Sequence, residues 1–304
     1  MAIPAFPDFA PVELAHKDDF DRVLRTMERP ISEWSFANLY LFRLVHDYRV
    51  SRLNGFLLIT SRGYDGKRYG FMPWGPSDPS PAAKILSLHL LQNGGEGIIY
   101  PVTANAHGRY FDGGGWVGET DRDGADYVYL TENLANLPGP AYHKKKNRLM
   151  KYLREIGGEY SYSRLEEENV DACIELARGW CGERCSIDRP STFAETDAAV
   201  EALLMRRELG LTGGVFMVGK QIEAYCLGEP LNEDTFVVHF EKALPGRDGA
   251  AQAINREFCK NGISAYRFVN REQDLGDPGL RQAKEGYRPL YLTEKFRLRL
   301  TGQP

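Results

Sequence analysis

Within FVVHFEKAL, His239 and Glu241 stand two residues apart on a segment of strand composition. A period of two places Phe236, Val238 and Phe240 on one face and Val237, His239 and Glu241 on the other, so imidazole and carboxylate are expected as neighbours. A histidine or carboxylate with a near-neutral pKa can take the proton of an attacking amine or hydroxyl, contributing about 10²- to 10⁴-fold to a rate. Both groups would serve equally well facing solvent or pairing with a basic neighbour, and the two readings weigh evenly.

Three further stretches carry candidate ligand contacts. In PGRDGAAQAINREF, glycines ahead of a helix leave backbone N–H groups open to a phosphate, which makes Gly249 a contact candidate. Asp248 and Gly249 are equally normal residues for starting a helix with no ligand. Asn255 and Arg256 share that helix with Ala251, Ile254 and Phe258, and one or both are expected to point away from the core. The loop NREQD sets Asn270, Arg271, Glu272, Gln273 and Asp274 directly after the strand AYRFV, and strand ends in mixed sheets are common ligand sites. Carboxylates there could hold an ammonium group. In YHKKKNRLMKYLRE, Leu149, Leu153 and Ile156 form an apolar helical stripe, while Lys144, Arg148 and Lys151 fall on another face. Much of that charge is the helix's solvated side. Three consecutive lysines followed by Asn147 and Arg148 exceed what solvation requires, which makes Lys145, Lys146, Asn147 and Arg148 candidates for phosphate contact.

The elements that must position these residues follow from periodicity. PVELAHKDDFDRVLRTMERP and SEWSFANLYLFRLVHDY read as helices, the second opened by Ser32 and Glu33. RLNGFLLITSRG and KRYGFMPWG read as a strand pair turned at YDG, followed by the helix SPAAKILSLHLLQNGG and the strand EGIIYPVTA. After the basic run the order returns. Two helices, SRLEEENVDACIELARGW and ETDAAVEALLMRREL, precede the strands GGVFMVGKQIEAYCLGEPL and DTFVVHFEKAL. Then come the helix AAQAINREFCKNG, the strand SAYRFV, the helix GLRQAKEGY and one long final strand, RPLYLTEKFRLRL. The expectation is an α+β chain with two mixed sheets flanked by helices. Residues 1–141 form one half, 142–158 a basic connecting helix, and 159–304 a second half that carries the site.

A strand, a Gly-containing loop, a helix and a further strand in the second half resemble the GNAT acyltransferase fold. The tandem arrangement is similar to the Fem-type and phosphatidylglycerol lysyltransferase synthase families, which use aminoacyl-tRNA as donor. YHKKKNRLMKYLRE, FEKALPGRDGAAQAINREF and NREQDLGDPGLRQAKEGYRPLYLTEKFRL carry the match. It most resembles an uncharacterised bacterial family related to the C-terminal domain of the lysyltransferases, over most of the chain. Lys284, in QAKEGYRP, matches a lysine that precedes an aromatic residue and a Pro-containing strand in those synthases. The resemblance implies that Lys284 faces the acyl donor or stabilises developing negative charge. By itself it reads as a lysine placed favourably at a helix C-terminus. One departure stands out: Gly246 occupies the position where the GNAT coenzyme loop has Gln or Arg, although Gly249 and Ala251 fit.

These readings imply an acyltransferase passing an aminoacyl group to an amine or hydroxyl, such as that of a lipid or cell-wall precursor. Aminoacyl-tRNA ranks ahead of acyl-CoA as donor, and no further cofactor is required. The alternatives are a coenzyme-A-dependent N-acyltransferase and, in another class, a non-catalytic binder of a small amino compound. His239, Glu241 and Lys284 are the catalytic candidates. The chain has 304 residues, 42% hydrophobic and 26% charged, which is ordinary for a soluble globular protein of about two domains. Its pI of 5.9 excludes broad nucleic-acid affinity, which goes with values above about 9. The first twenty residues lack a basic n-region and a sustained apolar stretch, so a cytoplasmic protein is expected, peripheral to a membrane at most. Five scattered cysteines fit a reducing compartment. Cys181 and Cys185 lack a second ligand pair nearby, so buried or idle thiols are expected there and no metal is assigned. Oligomeric state is not encoded legibly.

Overall fold

The structure, a computed structural model, describes residues 2–184 and 190–302. Along the chain come β1 (Ala10–Pro11), α1 (Lys17–Leu24), α2 (Phe36–Leu41), α3 (Arg43–His46), β2 (Arg49–Leu53), β3 (Phe56–Arg62), β4 (Arg68–Gly70), α4 (Ser80–Gln92), β5 (Ile99–Thr103), α5 (Ala104–Ala106) and β6 (Trp116–Thr120). Next are β7 (Asp126–Leu130), α6 (Thr131–Asn136), α7 (His143–Glu155), β8 (Ser161–Arg164), α8 (Glu167–Arg184), α9 (Pro190–Leu204), α10 (Arg206–Leu209), β9 (Thr212–Val218), β10 (Gln221–Pro230) and β11 (Thr235–Ala243). The chain closes with α11 (Ala250–Glu257), β12 (Phe268–Asn270), α12 (Pro278–Glu285), β13 (Tyr291–Thr293) and β14 (Lys295–Leu300).

The strands form two seven-stranded mixed sheets, ordered β1-β2-β3-β4-β5-β14-β6 and β13-β7-β12-β11-β10-β9-β8. Each contains a parallel pair, β4 with β5 and β11 with β12. The expected α+β fold with two mixed sheets is therefore present. Its compact units differ from the expected halves: one comprises residues 1–125 and 293–304, the other residues 126–292. The physical reason is strand pairing. The segment read as one long final strand is two, since β13 lies in the second sheet while β14 pairs with β5 and β6 in the first. Conversely, β7 precedes the basic run yet pairs with β12. The basic helix α7 is thus an element of the second unit and not a connector.

In the first unit, Phe56–Arg62 is buried along all but its last residue, as expected of the FLLI run in a central strand. The segment RLNGFLLITSRG contains a hairpin: β2 and β3 meet across Asn54 and Gly55, both at positive φ, the chemistry of a two-residue Asn-Gly turn. The second predicted helix is divided into α2 and α3, and Ser35 is its cap, accepting from the Asn38 N–H at 2.9 Å. Glu33 serves elsewhere. Its carboxylate receives the Lys295 ammonium at 2.7 and 2.6 Å, and Lys295 is wholly buried at the start of β14. That pair fastens the last strand into the first sheet, between β5 and the edge strand β6.

The second unit packs α6, α7 and α11 against one face of its sheet, in a core containing Tyr127, Tyr129, Leu149, Tyr152, Phe216, Phe236, Ile254 and Phe258. Leu149 is buried and Leu153 and Ile156 pack partly against the same core, so the expected stripe of α7 points inward. Among the cysteines, Cys173, Cys226 and Cys259 are buried free thiols, Cys181 is disulfide-bonded rather than idle, and Cys185 lies outside the described residues.

Removing one partner of a buried ion pair strands the other charge, at a cost of about 3–5 kcal/mol. Glu33→Ala is therefore expected to lower unfolding stability by about that amount, and joint replacement of Glu33 and Lys295 by Leu and Met to restore most of it. Denaturant unfolding of both variants checks this.

Candidate functional site

The register of β10 and β11 decides what the site contains. Cys226 stands opposite Glu241 and Leu227 opposite Phe240, but Gly228 stands opposite Val238, leaving His239 without a cross-strand counterpart. That extra residue is a β-bulge, which reverses the alternation beyond it. Phe236, Val238 and Glu241 therefore share the face that packs on α7 and α11. Phe240 and Lys242 face α8 and α9, where the Lys242 ammonium pairs with Glu195 and lies 3.4 Å from the Trp180 ring centroid. The expected grouping of His239 with Glu241 on one face is corrected by this bulge.

His239 is enclosed between carboxylates. Its Nδ1 lies 2.8 Å from Glu272 Oε1 and its Nε2 3.1 Å from Glu229 Oε1. Burial opposes the charged ring, yet hydrogen bonds to Glu229 and Glu272 outweigh it and raise the pKa to about 10. The two carboxylates favour the imidazolium, with both ring nitrogens engaged. In this arrangement the ring ties β10, β11 and the loop after β12 together.

That loop is fastened throughout. Asn270, fully buried, donates to Asp126 at 2.7 Å and accepts the Glu272 N–H at 2.8 Å, holding Glu272 at positive φ. Gln273 also donates to Asp126 at 2.8 Å. Asp274 accepts two bonds from Arg281 at 2.8 Å and one from the Tyr127 hydroxyl at 2.6 Å. Although burial works the other way, these donors hold its carboxyl below the usual range. The Lys284 ammonium donates to the carbonyls of Arg271, at 2.6 Å, and Gln273. Burial lowers its pKa to about 8, against the pull of Glu272. Asn270, Glu272, Asp274 and Lys284, expected to meet ligand, each make contacts that shape this loop.

What the loop presents is Arg271. Its Nη2 donates to both oxygens of Glu241, at 2.9 and 3.0 Å, and its guanidinium lies 4.8 Å from the Tyr287 ring centroid. Asn255, reaching in from α11, donates to Glu241 Oε2 at 3.2 Å. Glu241 thus holds Arg271 and Asn255 rather than standing open as a base. Among the buried polar atoms of this cluster with no hydrogen-bond partner are Arg271 Nη1, a charged donor, and Asn255 Oδ1, an acceptor. Such atoms are costly unless something completes them. Together they match a group that offers an acceptor to the guanidinium and a donor to the amide.

The remaining candidates separate. Arg256 pairs with Glu257 at 3.0 Å. Gly249 sits at the N-terminus of α11 with φ of +124°, and an added Cβ would fall 2.3 Å from Tyr152 Cβ. The glycine is required for close packing of α11 on α7. Arg148 pairs with Asp248 at 3.1 Å on the surface, and Lys146 and Asn147 are exposed. Lys145 turns in: it donates to the Ala283 carbonyl at 3.0 Å and lies 4.2 Å from the Tyr287 ring centroid. The structure therefore gathers Glu241, Asn255, Arg271 and Lys145. Tyr287, Tyr129 and Glu229 were missed, since the only available signal for Tyr287 was its place after Lys284 in KEGY.

Residues 24–299 match the family described as Phosphatidylglycerol lysyltransferase, C-terminal. A conserved protein of unknown function from Bacteroides thetaiotaomicron is 30% identical, with a TM-score of 0.87 over 96% of this chain and 99% of its own. L-PGS from Bacillus licheniformis superposes with a TM-score of 0.65 at 14% identity over 100% of this chain and 95% of that one. FemX does so at 0.57 and 9%, covering 98% of each chain. No curated protein matches the sequence. Among the described residues no helix is long and apolar enough to cross a membrane.

His239 has a folded-state pKa above its unfolded value of about 6.5, so its stabilisation is complete below that pH and disappears as pH rises through about 10. Unfolding stability measured from pH 6 to 10 is expected to decline, with a shallower decline in His239→Gln.

Proposed function

This chain belongs to the phosphatidylglycerol lysyltransferase C-terminal family, and from that premise we propose that it is an acyltransferase moving an aminoacyl group onto an amine or hydroxyl. The observation that carries this reading is the unpaired Nη1 of Arg271, a buried cationic donor with no partner of its own. Acyl transfer passes through a tetrahedral intermediate whose carbonyl oxygen becomes an oxyanion. A fixed donor in a water-poor site stabilises that charge with little reorganisation, and removing one such donor typically costs about 10²- to 10³-fold in kcat.

Glu241 orients the guanidinium through both oxygens, and the Lys284 clamp fixes the backbone from which Arg271 projects. Asn255 Oδ1 is an acceptor for the amine of an aminoacyl group, a contact that a plain acyl chain lacks. Aminoacyl-tRNA is favoured over coenzyme A as donor for two reasons. Gly246 stands where a coenzyme loop has a side chain, and Gly249 sets the N-terminus of α11 against Tyr152. The exposed Lys144 and Lys146 supply cations for a phosphate-bearing donor. A lipid or cell-wall precursor is the proposed acceptor class.

Incubation with labelled aminoacyl-tRNAs and acyl-CoAs, scored for donor deacylation in the presence of amine and hydroxyl acceptors, tests the reading. Aminoacyl release is expected, with Arg271→Ala lowering kcat by about 10²- to 10³-fold. Release only from acyl-CoA would establish the coenzyme-dependent alternative, and release from neither would leave a binding protein.

A further inference from the structure

Of the three consecutive lysines on α7, Lys144 and Lys146 are exposed and Lys145 is drawn in. Its path depends on a missing side chain: an ideal Cβ on Gly286 would fall 2.9 Å from Lys145 Cε and 3.3 Å from its Nζ. A larger residue at 286 would make the end of the lysine shift. Past it, the amine lies over one Tyr287 ring, 4.2 Å from the centroid, and the Arg271 guanidinium carbon is 4.8 Å from the same centroid. Two cationic groups share one aromatic ring, and one of them holds the unpaired donor. A lysine needed only for solubility would extend into water, as its two neighbours do.

The groups acting on Lys145 come from every element around it. Burial, then Arg271 from the loop after β12 and Arg148 from its own helix, push its pKa down to about 8, with Glu241 of β11 opposing. The Tyr287 hydroxyl is itself raised by burial. Lys145 Nζ donates to one backbone carbonyl, that of Ala283 at 3.0 Å, whereas Lys284 Nζ is held by two, those of Arg271 and Gln273.

We propose that Lys145 is the proton acceptor in acyl transfer, its neutral amine taking the proton from the attacking amine or hydroxyl. This rests on the transferase reading. As the acceptor's nitrogen or oxygen bonds to the acyl carbon, its proton passes to Lys145 Nζ. The bond to the leaving oxygen then breaks, and the proton returns from the ammonium to that oxygen. Arg271 Nη1 holds the carbonyl oxygen throughout. No oxidant, reductant or further reactant enters. The assignment gives the site a base besides His239, engaged by Glu229 and Glu272, and Glu241, engaged by Arg271.

The test has two arms. In the first, kcat/KM of the wild-type protein is expected to rise with pH and level off above about pH 8, a limb that Lys145→Arg and Lys145→Met lose together with about 100-fold or more in kcat. In the second, competitive acetylation of the wild-type protein without substrate is expected to label Lys145 with a midpoint near 8. Lys145→Arg keeps length and charge, and the labelling arm needs no variant, so a misfolded Lys145→Met does not remove the test. Wild-type turnover with the limb unchanged in Lys145→Arg, or labelling of Lys145 with no midpoint near 8, overturns the role of Lys145 and leaves the transferase reading standing. Absence of wild-type turnover with every donor overturns both.

Discussion

An arginine placed inside a protein must be given a carboxylate and a rigid backbone, because an uncompensated buried charge costs several kcal/mol. Arg271 meets both conditions, and the second unit is organised around meeting them. Glu241 receives two of its bonds, which requires Glu241 to face α7 and α11. It does so only because the bulge at His239 reverses the strand's alternation. The bulge is in turn held by carboxylates on two sides, Glu229 and Glu272, and Glu272 belongs to the same loop as Arg271. The bulge, the clamped loop and the buried cation therefore stand together.

Much of the polar chemistry of this loop is structural. Asn270, Gln273, Asp274 and Lys284 each satisfy a buried partner, with Asp126, Tyr127 and Arg281 completing the network. Networks of this kind position a functional side chain more tightly than a loop backbone can by itself. Their density explains why a single guanidinium N–H can be left unpaired without the loop relaxing to cover it. Rigidity around an unmet hydrogen-bond donor is the physical signature of the site.

Several features were legible from residue types alone. The inward stripe Leu149, Leu153 and Ile156, the helix ahead of Phe258, and the strand status of FVVHFEKAL all follow from spacing, and so does the mixed α+β class. An available signal was overlooked in RLNGFLLITSRG, where Asn54-Gly55 between apolar runs marks a hairpin. Ser35, rather than Ser32 with Glu33, was an equally good cap candidate, and only the burial of Lys295 assigned Glu33 to a distant strand. The site was legible as a set of residues and not as roles: Glu241, Asn255, Arg271 and Lys145 were all named, but so were Gly249, Arg256 and Asp274, which fold the chain.

By itself the sequence determined local matters: which segments are helix or strand, which helical faces are apolar, and that a cationic run and a polar loop exist. Those properties depend on neighbours three or four residues away. Tertiary structure alone decided that β14 belongs to the first sheet and β7 to the second, since strand partners are chosen by burial and register across the whole chain. It alone decided the bulge at His239, because one extra residue in a ladder is invisible until the opposing strand is present. It also singled out Lys145 from three adjacent lysines, through a glycine some 140 positions away in sequence whose missing side chain gives the amine its passage.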